Sequence, residues 1–542
     1  MASTAPPAPT RRGRERTAIG SPDETFGAQA PESDPAPLPP DVRLPVRRQI
    51  IAALLLIGSA ALCTLYLPPL VFGGAMIAAA LVILARRAIF SWPGALALLV
   101  GVVMFIPVRR YAIPIALPFA LEPYRVILLA VALGVFGAIL LRRRAWQPVA
   151  FGWPIGIFFA SLVISIPTNG TSLVEQSLAA AAIGALLNYA ILLSAFYITR
   201  QMLTTETMVL GLLTGLTWCG AALGTLATFE RVTRYNIFAH LQVVLPLDVI
   251  AEDGESFRAG GYRSFASSQH PIALSVMLCI LIPLAIYLAK YSPWPRNLIN
   301  ARIVYSLATF LMLAGVMSAV SRTAVVVLAV MILLTLVLRP WLGITLIALS
   351  LPLVLLGMVA LPKIFNTLVL SFFDIDGLIA SQQTSPGWRG AGRLADLGPA
   401  FAEFSQSPFF GSGVGSRIVV GETQNAFILD NQVLGTMLEA GVVGLIGLAC
   451  LIIVPPVMLL RFAFTTARDD ALYAMLAFAI AVSGSGFAAA LFFYDAFGFY
   501  QTMFAYFMML AIGAWLLTAS PPARAARTPR ASPIRDRGGS AA

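Results

Sequence analysis

The sequence is poor in the side chains on which most metal and redox chemistry depends. It has two histidines, His240 and His270, in 542 residues, although imidazole is the commonest metal ligand and a frequent proton carrier near neutral pH. All four cysteines fall inside apolar runs without metal-ligand or C-x-x-C spacing. Neither a disulfide framework nor a zinc site is therefore expected.

Charge is scarce as well, since 11% of the residues are charged and 58% are hydrophobic. This balance is typical of a polytopic membrane protein. The formal net charge is +11, but most of the arginines that produce it lie at the ends of apolar runs or in the tails. Membrane topology explains this excess better than nucleic acid binding does, so no nucleic acid partner is expected.

The apolar runs predict an all-α protein with about fourteen transmembrane helices, because a helix needs about 20 apolar residues to cross a bilayer. These runs form a multipass domain over 49–518 with one large extracytoplasmic loop. The predicted spans are 50–66, 68–85, 93–108, 124–141, 150–167, 178–199, 207–229, 271–289, 303–320, 323–338, 341–361, 432–460, 469–490 and 496–518.

The flanking segments and the basic residues predict an orientation. Residues 1–48 and 519–542 are rich in proline, alanine and arginine without an apolar periodicity, which indicates disordered tails. Basic residues gather at every second span boundary, so both tails are expected in the cytoplasm and the loops 230–270 and 362–431 on the outer face of the cytoplasmic membrane. The pair Arg109-Arg110 is the exception, because this scheme places it outside.

The first outer loop carries two arginines just before a helix start. Arg258 and Arg263 precede His270-Pro271 in FRAGGYRSFASSQHPIAL. Proline suits the first turn of a helix, so His270 could serve only at the helix start. Alternatively, the arginines bind phosphate, since a guanidinium presents paired donors that match diphosphate oxygens.

A second polar point, Ser321-Arg322, falls at the turn between two predicted spans. An arginine beside hydrocarbon is costly unless its side chain reaches water or a polar partner. Snorkelling to the interface is one explanation, and phosphate binding is the other.

The large loop contains Arg389 and Arg393, followed over 394–404 by apolar residues at helical spacing. That spacing predicts a short helix along the membrane surface. The glycines of 411–415 predict a plain turn. The carboxylates within 374–376 are too few to indicate a metal site and are expected in a solvated loop.

Asp430-Asn431-Gln432 opens the next predicted span, and Asp430 is well suited to cap that helix. Gln432 and Glu439 are seven residues apart and therefore share a helix face. Glu439 should lie about 10 Å further along the helix. An acid at that depth is expected to face protein or a polar cavity, which makes Glu439, with Gln432, a candidate for substrate binding.

Four segments in order, YRSFASSQHP, SRTAVVVL, GRLADLGPAFAEFSQSPFFGSGVGS and DNQVLGTMLEAGVVG, resemble the O-antigen ligase-related family of bacterial membrane proteins. The resemblance covers about 190 residues, from Arg258 to Leu445. The N-terminal half shares only its string of membrane helices. The resemblance implies transfer of a glycan from a polyprenyl diphosphate carrier.

The resemblance also implies roles for individual residues. Arg263 and Arg322, together with Arg389 or Arg393, correspond to the arginines that hold the lipid diphosphate. Where the family's ligases have a histidine proposed to activate the acceptor hydroxyl, this chain has Asp430. We therefore take Asp430 as the candidate base, and His270 as an alternative in the other loop. The departure favours a polymerase, or a ligase with another acceptor.

The function implied is a metal-independent, inverting glycosyltransferase of cell-surface polysaccharide assembly. Its expected partners are a polyprenyl diphosphate-linked glycan donor, a glycan or lipid acceptor and membrane lipids, and no cofactor is needed because the diphosphate is already a good leaving group. One alternative is ligation of a finished glycan to a lipid or wall acceptor. The other is a lipid-linked oligosaccharide flippase or exporter, which should carry ionisable residues deep in several spans.

Overall fold

The computed structural model describes residues 91–114, 120–251, 257–258, 261–374, 396–417, 429–468 and 470–518. The predicted tails and the first two predicted spans, 50–66 and 68–85, lie outside the described residues. The described helices are α1 (Trp92–Phe105), α2 (Pro123–Leu140), α3 (Gly152–Thr168), α4 (Gly170–Glu175), α5 (Ala179–Met202), α6 (Glu206–Thr233), α7 (Pro271–Tyr291), α8 (Leu298–Ala319), α9 (Arg322–Leu338), α10 (Pro340–Ala360), α11 (Pro362–Leu368), α12 (Leu397–Phe404), α13 (Gln432–Thr465), α14 (Ala471–Ala490) and α15 (Tyr500–Thr518).

Strands are few and short in the described part of the chain. Strand β1 (Tyr111–Ala112) pairs antiparallel with β2 (Asp248–Val249), and β3 (Phe257–Arg258) pairs antiparallel with β4 (Gly261–Tyr262). Three 3₁₀ segments also occur, at Ile237–Val243, Leu370–Phe372 and Ala496–Gly498.

Within the described residues, nine helices are long and apolar enough to cross a membrane, and α1, α3 and α9 are shorter apolar helices. Each predicted span from 93–108 onward overlaps one of these twelve. The helix starts follow from local chemistry: Ser91 Oγ accepts a hydrogen bond from the Gly94 amide at α1, and Asp470 Oδ1 accepts from the Leu472 amide at α14. Such caps satisfy amides that have no partner within the helix.

Helix α7 forms the centre of the described bundle. Every residue from Pro271 to Ala285 is buried, because α7 packs against α6, α8, α9, α14 and α15. The helix that is apolar all round is therefore the one enclosed by its neighbours, as expected for a helix without a polar face.

Several helix ends meet at one face of the bundle, which we call the cavity face. The Ser264 amide donates to the Ser318 carbonyl of α8 at 3.2 Å, and Ser267 Oγ donates to the Met104 carbonyl of α1 at 2.6 Å. The loop before α7 thus joins the ends of α1 and α8. The described parts of both predicted outer loops lie at this face.

Glu230 organises the first of these loops. It lies in the last turn of α6, one residue beyond the predicted end of that span. Its carboxylate is 1% exposed and accepts hydrogen bonds from the Tyr262 hydroxyl and from the amides of Phe265 and Ala266. A buried carboxylate with several donors is well satisfied. Glu230 therefore fixes the chain that leads to α7.

Helix α13 is broken at Gly441, whose φ of 65° and ψ of −157° are not helical. The break leaves backbone groups of α13 without helical partners, and the segment 408–413 supplies them. The Ser412 amide donates to the Leu438 carbonyl at 2.8 Å, and the Val442 amide donates to the Pro408 carbonyl at 2.9 Å. The segment predicted as a plain turn is therefore a docked element of the bundle.

Positive φ angles allow this docking. Gly411 and Gly413 have φ of 65° and 102°, a region that residues with a Cβ rarely adopt. A Cβ at Gly411 would lie 2.5 Å from the Leu438 carbonyl oxygen. Ser165 of α3 completes the joint, since its Oγ donates to the Glu439 carbonyl at 2.6 Å.

Candidate functional site

A polar cavity of about 410 Å³ opens at the cavity face among α5, α13 and the start of α15. Four charged side chains among the described residues line it, together with amides and aromatic rings. The charged residues are Arg109, Arg417, Glu439 and Asp495; the amides are Asn188, Asn431 and Gln432; the rings are Tyr189, Phe497 and Tyr500.

Arg109 enters the cavity from the loop after α1. Its guanidinium donates to the Gly498 carbonyl at 3.3 Å and to the Tyr500 hydroxyl at 3.1 Å, and it lies 4.6 Å from the centre of the Tyr500 ring. The backbone of Arg109 has a φ of 63°, which is unusual for a residue with a Cβ and occurs where neighbouring contacts impose it.

Glu122 is the neighbour that holds this conformation. It is 3% exposed, accepts a hydrogen bond from the Arg109 amide at 2.5 Å and pairs with Arg125 at 3.0 Å. Burial raises the pKa of the Glu122 carboxyl, while the Arg109 amide and the Arg125 charge lower it. Arg125 in turn donates to Asn188 Oδ1 at 3.2 Å, so one network connects the Arg109 loop to a second residue of the cavity wall.

Arg417 enters from the segment that docks on α13. Its guanidinium pairs with Glu403 of α12 at 2.6 Å, and its side chain is 8% exposed. Buried Ala400 of α12 packs in turn against Leu434 and Leu438 of α13. A helix is thus present within the predicted segment 394–404, as α12, and is tied to the cavity wall; its position along the membrane surface stays a prediction.

Asp495 lies between α14 and α15. Its Oδ1 accepts a hydrogen bond from the Gly498 amide at 3.1 Å and so caps a 3₁₀ turn. Enclosure in the cavity raises the pKa of the Asp495 carboxyl above its ordinary value, and the Asp430 charge raises it further, against the opposing effects of the Gly498 amide and the Arg109 charge. A carboxyl with a raised pKa is a better proton acceptor than an ordinary aspartate.

Gln432 and Glu439 both line the cavity, as their shared helix face predicts. Gln432 is only 4% exposed: its Nε2 donates to Thr436 Oγ1 at 3.1 Å, and its Oε1 accepts from the Phe497 amide at 2.9 Å. Gln432 therefore joins α13 to the turn after α14. Glu439 lies further along α13, just before the break at Gly441.

The prediction that Asp430 caps α13 is wrong. Asn431 is the cap, because its backbone is extended and its Oδ1 accepts from the Leu434 amide at 3.1 Å. Asp430 lies one residue earlier and is half-buried. It does not line the cavity, but its charge acts on Asp495.

Asn431→Ala should therefore lower the free energy of unfolding by about 1 kcal/mol, the usual cost of losing an N-cap. Asp430→Ala should leave the cap intact. Thermal unfolding of both variants in the same detergent measures the difference. A larger loss in Asp430→Ala than in Asn431→Ala would contradict this assignment.

Arg263 and Arg322 lie together at the turn between α8 and α9. Arg263 is 5% exposed and donates from Nε to the Ala319 carbonyl at 3.0 Å. Arg322 is the first residue of α9 and donates from Nε to the Thr367 carbonyl of α11 at 3.3 Å. Neither lines the cavity. The structure thus brings these two predicted arginines to one turn, separate from Gln432 and Glu439.

Each of these arginines has a buried serine beside it in the chain. Ser264 and Ser321 are 0% and 1% exposed, and within the described ranges their hydroxyls have no hydrogen-bond partner. Ser321 is also the N-cap residue of α9, yet its side chain makes no capping bond. Buried hydroxyls are almost always paired in native proteins, so a polar ligand bound at this turn would find two hydroxyls able to hydrogen-bond to it.

His270 is itself the N-cap of α7, where its Nδ1 accepts from the Ile272 amide at 3.2 Å. Its ring lies 5.5 Å from the Phe499 ring, next to the cavity residues Gly498 and Tyr500. This geometry agrees with a role at the helix start and keeps His270 outside the cavity lining. Arg258 lies in β3, and Arg389 and Arg393 lie outside the described residues.

One of the cavity residues that were not predicted could have been recognised from the sequence. Arg109 belongs to the pair Arg109-Arg110, which is the exception to the positive-inside pattern. Arg417 and Asp495 carried no signal of their own, because one follows a glycine-rich turn and the other precedes an apolar run. Their roles follow only from the packing that brings the turn and the α14–α15 connection to the same wall.

Part of the chain matches a known family. Residues 307–449 match the family model described as O-antigen ligase. Over this stretch the chain is similar to the O-antigen ligase-related superfamily. The matching segment includes Arg322, α12 and the start of α13, but not Arg263, His270 or Asp495. No curated protein matches the chain.

The family and the helices together support a multi-pass membrane protein with a glycan-related ligase or polymerase role. The matched family also implies a lipid-linked glycan and a glycan acceptor as partners. The resemblance from Arg258 to Leu445 is thus matched from residue 307 onward.

Proposed function

We propose that this protein is a membrane glycan polymerase that transfers oligosaccharide from a polyprenyl diphosphate carrier at the outer face of the cytoplasmic membrane. The observation that carries the proposal is the α8–α9 turn. Two arginines, two buried serine hydroxyls and the first amides of α9 are collected there. Guanidinium pairs and helix N-termini both favour phosphate groups.

The charge around the turn supports a dianionic or trianionic ligand. Arg231, Arg263 and Arg322 all donate to carbonyl groups at or beside the turn, while Glu230 is the carboxylate of the neighbouring loop. An excess of fixed cations stabilises negative charge as it develops on a leaving diphosphate. On this proposal the arginines hold the carrier and activate it, with no metal required.

The transfer itself is proposed as a single inverting displacement. The acceptor hydroxyl oxygen attacks the anomeric carbon, the bond from that carbon to the diphosphate oxygen breaks, and the polyprenyl diphosphate leaves with the electron pair. A base must take the hydroxyl proton. Asp430 is the candidate base that the sequence offers.

A ligase that attaches finished glycan to a lipid or wall acceptor is the second candidate, because the matching family model is described as O-antigen ligase. Both reactions use the same donor chemistry and differ in the acceptor. A polymerase is preferred because Asp430 stands where the resemblance implies a histidine in the ligases.

Deletion of the gene in its native host separates the two. Loss of a polymerase should leave carriers that bear single repeat units, whereas loss of a ligase should leave full-length chains that are still attached to the carrier. Extraction of lipid-linked glycans followed by gel and mass analysis measures this. A deletion strain with an unchanged lipid-linked pool and unchanged surface glycan would contradict both.

A further inference from the structure

We propose that the cavity lined by Arg109, Glu439 and Asp495 is the acceptor site, that it takes a neutral, hydroxyl-rich glycan, and that Asp495 accepts the proton of the attacking hydroxyl. The inference rests on the proposed function, because it supplies the second half of the same reaction. It adds a binding site and a base to the diphosphate site at the α8–α9 turn.

The charges of the two sites assign the two substrates. Among the described residues, the cavity has two arginines and two carboxylates in its lining, and Arg417 is already paired with Glu403. A balanced site offers little net attraction to a diphosphate, whose binding needs excess cations. The α8–α9 turn has that excess. The carrier headgroup therefore belongs to the turn, and an uncharged ligand belongs to the cavity.

The lining of the cavity suits a sugar. Carboxylates and side-chain amides accept and donate to hydroxyl groups, and both kinds are present with the rings of Tyr189, Phe497 and Tyr500. A volume of about 410 Å³ lies within the range of small-molecule sites. The ligand class is thus an oligosaccharide end of one or a few sugar units.

Asp495 is better placed than Asp430 to act as the base. It lines the cavity, and Asp430 does not. Its Oδ1 accepts a hydrogen bond from the Gly498 amide, which orients the carboxylate in the cavity wall. Arg109, held on the neighbouring wall by Gly498 and Tyr500, stabilises the carboxylate before it takes the proton.

Both sites are built against α14 or the residues just beyond it. This helix packs against α9, with Gly486 close to Val327. The Leu491 and Tyr494 carbonyls, just beyond α14, accept from the Gln432 amide of the cavity at 2.9 and 3.2 Å. A donor held at the start of α9 and an acceptor held beside Gln432 therefore approach from neighbouring positions at one face.

In the proposed step, the acceptor oxygen forms a bond to the anomeric carbon and its proton moves to the Asp495 carboxylate. The anomeric carbon loses its bond to the diphosphate, which departs with both electrons. Protonated Asp495 then returns the proton to water. No oxidant, reductant or further reactant is needed.

Asp495→Asn is the decisive variant, because asparagine keeps an oxygen acceptor for the Gly498 amide but cannot take a proton at neutral pH. We expect kcat for transfer by the purified full-length protein to fall about 100-fold or more, with the donor KM and Tm unchanged. The matched control is Asp470→Asn, which alters a cap aspartate at the start of α14 and should keep wild-type kcat.

The pH profile gives an independent readout. Transfer by the wild type should rise with pH through a pKa above the ordinary aspartate range, since the base must be deprotonated and enclosure raises that pKa. This acid limb should disappear in Asp495→Asn. Wild-type kcat in the variant would overturn the assignment of the base. A fall in kcat that is accompanied by a fall in Tm would also overturn it, because the lost activity would then reflect lost stability.

The acceptor class is tested by calorimetry with the repeat-unit oligosaccharide, released from its carrier by mild acid, and separately with inorganic diphosphate. Glu439→Gln should weaken oligosaccharide binding about tenfold, the loss of one hydrogen bond to a charged group, and leave diphosphate binding unchanged. If diphosphate competes with the oligosaccharide and Arg109→Ala abolishes that competition, the cavity is an anion site and the inference fails. If the wild type transfers no glycan at all, the proposed function fails instead.

Discussion

Arg322→Ala should abolish glycan transfer while the protein remains in the membrane. The guanidinium lies at the start of α9 beside the buried hydroxyl of Ser321, where it would face the charge that develops on the leaving diphosphate. Removing an arginine that stabilises phosphoryl charge typically costs about 10³-fold or more in rate. Transfer is measured with purified protein and radiolabelled lipid-linked donor.

Two further variants make the result specific. Arg322→Lys keeps the charge but loses the two-pronged donor geometry, so partial activity is expected. Arg302→Ala removes an exposed arginine from the first turn of α8, at the opposite end of the bundle, and should transfer at the wild-type rate. Wild-type turnover by Arg322→Ala would remove the diphosphate assignment.

Gly441→Ala should cause the largest loss of stability. Its φ of 65° and ψ of −157° are open to glycine and strained for alanine, which costs about 1–3 kcal/mol for the backbone alone. A Cβ there would also collide with the carbonyl of Phe409, whose segment docks on the broken helix. We expect a lower Tm and release of the docked segment, measured by thermal unfolding and limited proteolysis.

Gly435→Ala is the matched control for stability, since it lies in the same helix and a Cβ there would meet nothing within 4 Å. Alanine in a helix interior is favoured over glycine by about 1 kcal/mol, so this variant should be at least as stable as the wild type. Equal Tm values for the two variants would contradict the importance of the break.

The sequence predicts the helices well, because an apolar run bounded by proline, asparagine or aspartate is a local signal. Helix α7 begins at Pro271, after His270, and α13 begins at Gln432, and both starts are those that the sequence predicts. The break in α13 could not be predicted, since EAGVVG is as apolar as its flanks. It exists because a distant segment, 408–413, provides hydrogen bonds that the helix would otherwise make for itself.

The candidate site was predictable in part. Gln432 and Glu439 could be named as candidates because helical periodicity is local, and Arg263 and Arg322 because guanidinium groups match diphosphate oxygens and because of the resemblance. Asp495 and Arg417 could be identified only from the tertiary structure, because their contacts with Gly498 and Glu403 at the cavity are not evident from the sequence. The predicted helix cap at Asp430 was wrong by one residue. Asp430 and Asn431 are both residue types that can cap a helix, and in the structure Asn431 is the cap.

The enclosure of α7 has a consequence for how the protein assembles. Helices α8, α9, α14 and α15 are all synthesised after it, so the faces of α7 that they cover must first lie against the acyl chains of the lipid. Exchanging acyl chains for protein yields little hydrophobic gain. Assembly of the bundle must then depend on how well the helix surfaces fit together. A bulkier side chain on any face of α7 should therefore delay the packing of the later helices without affecting the membrane insertion of α7.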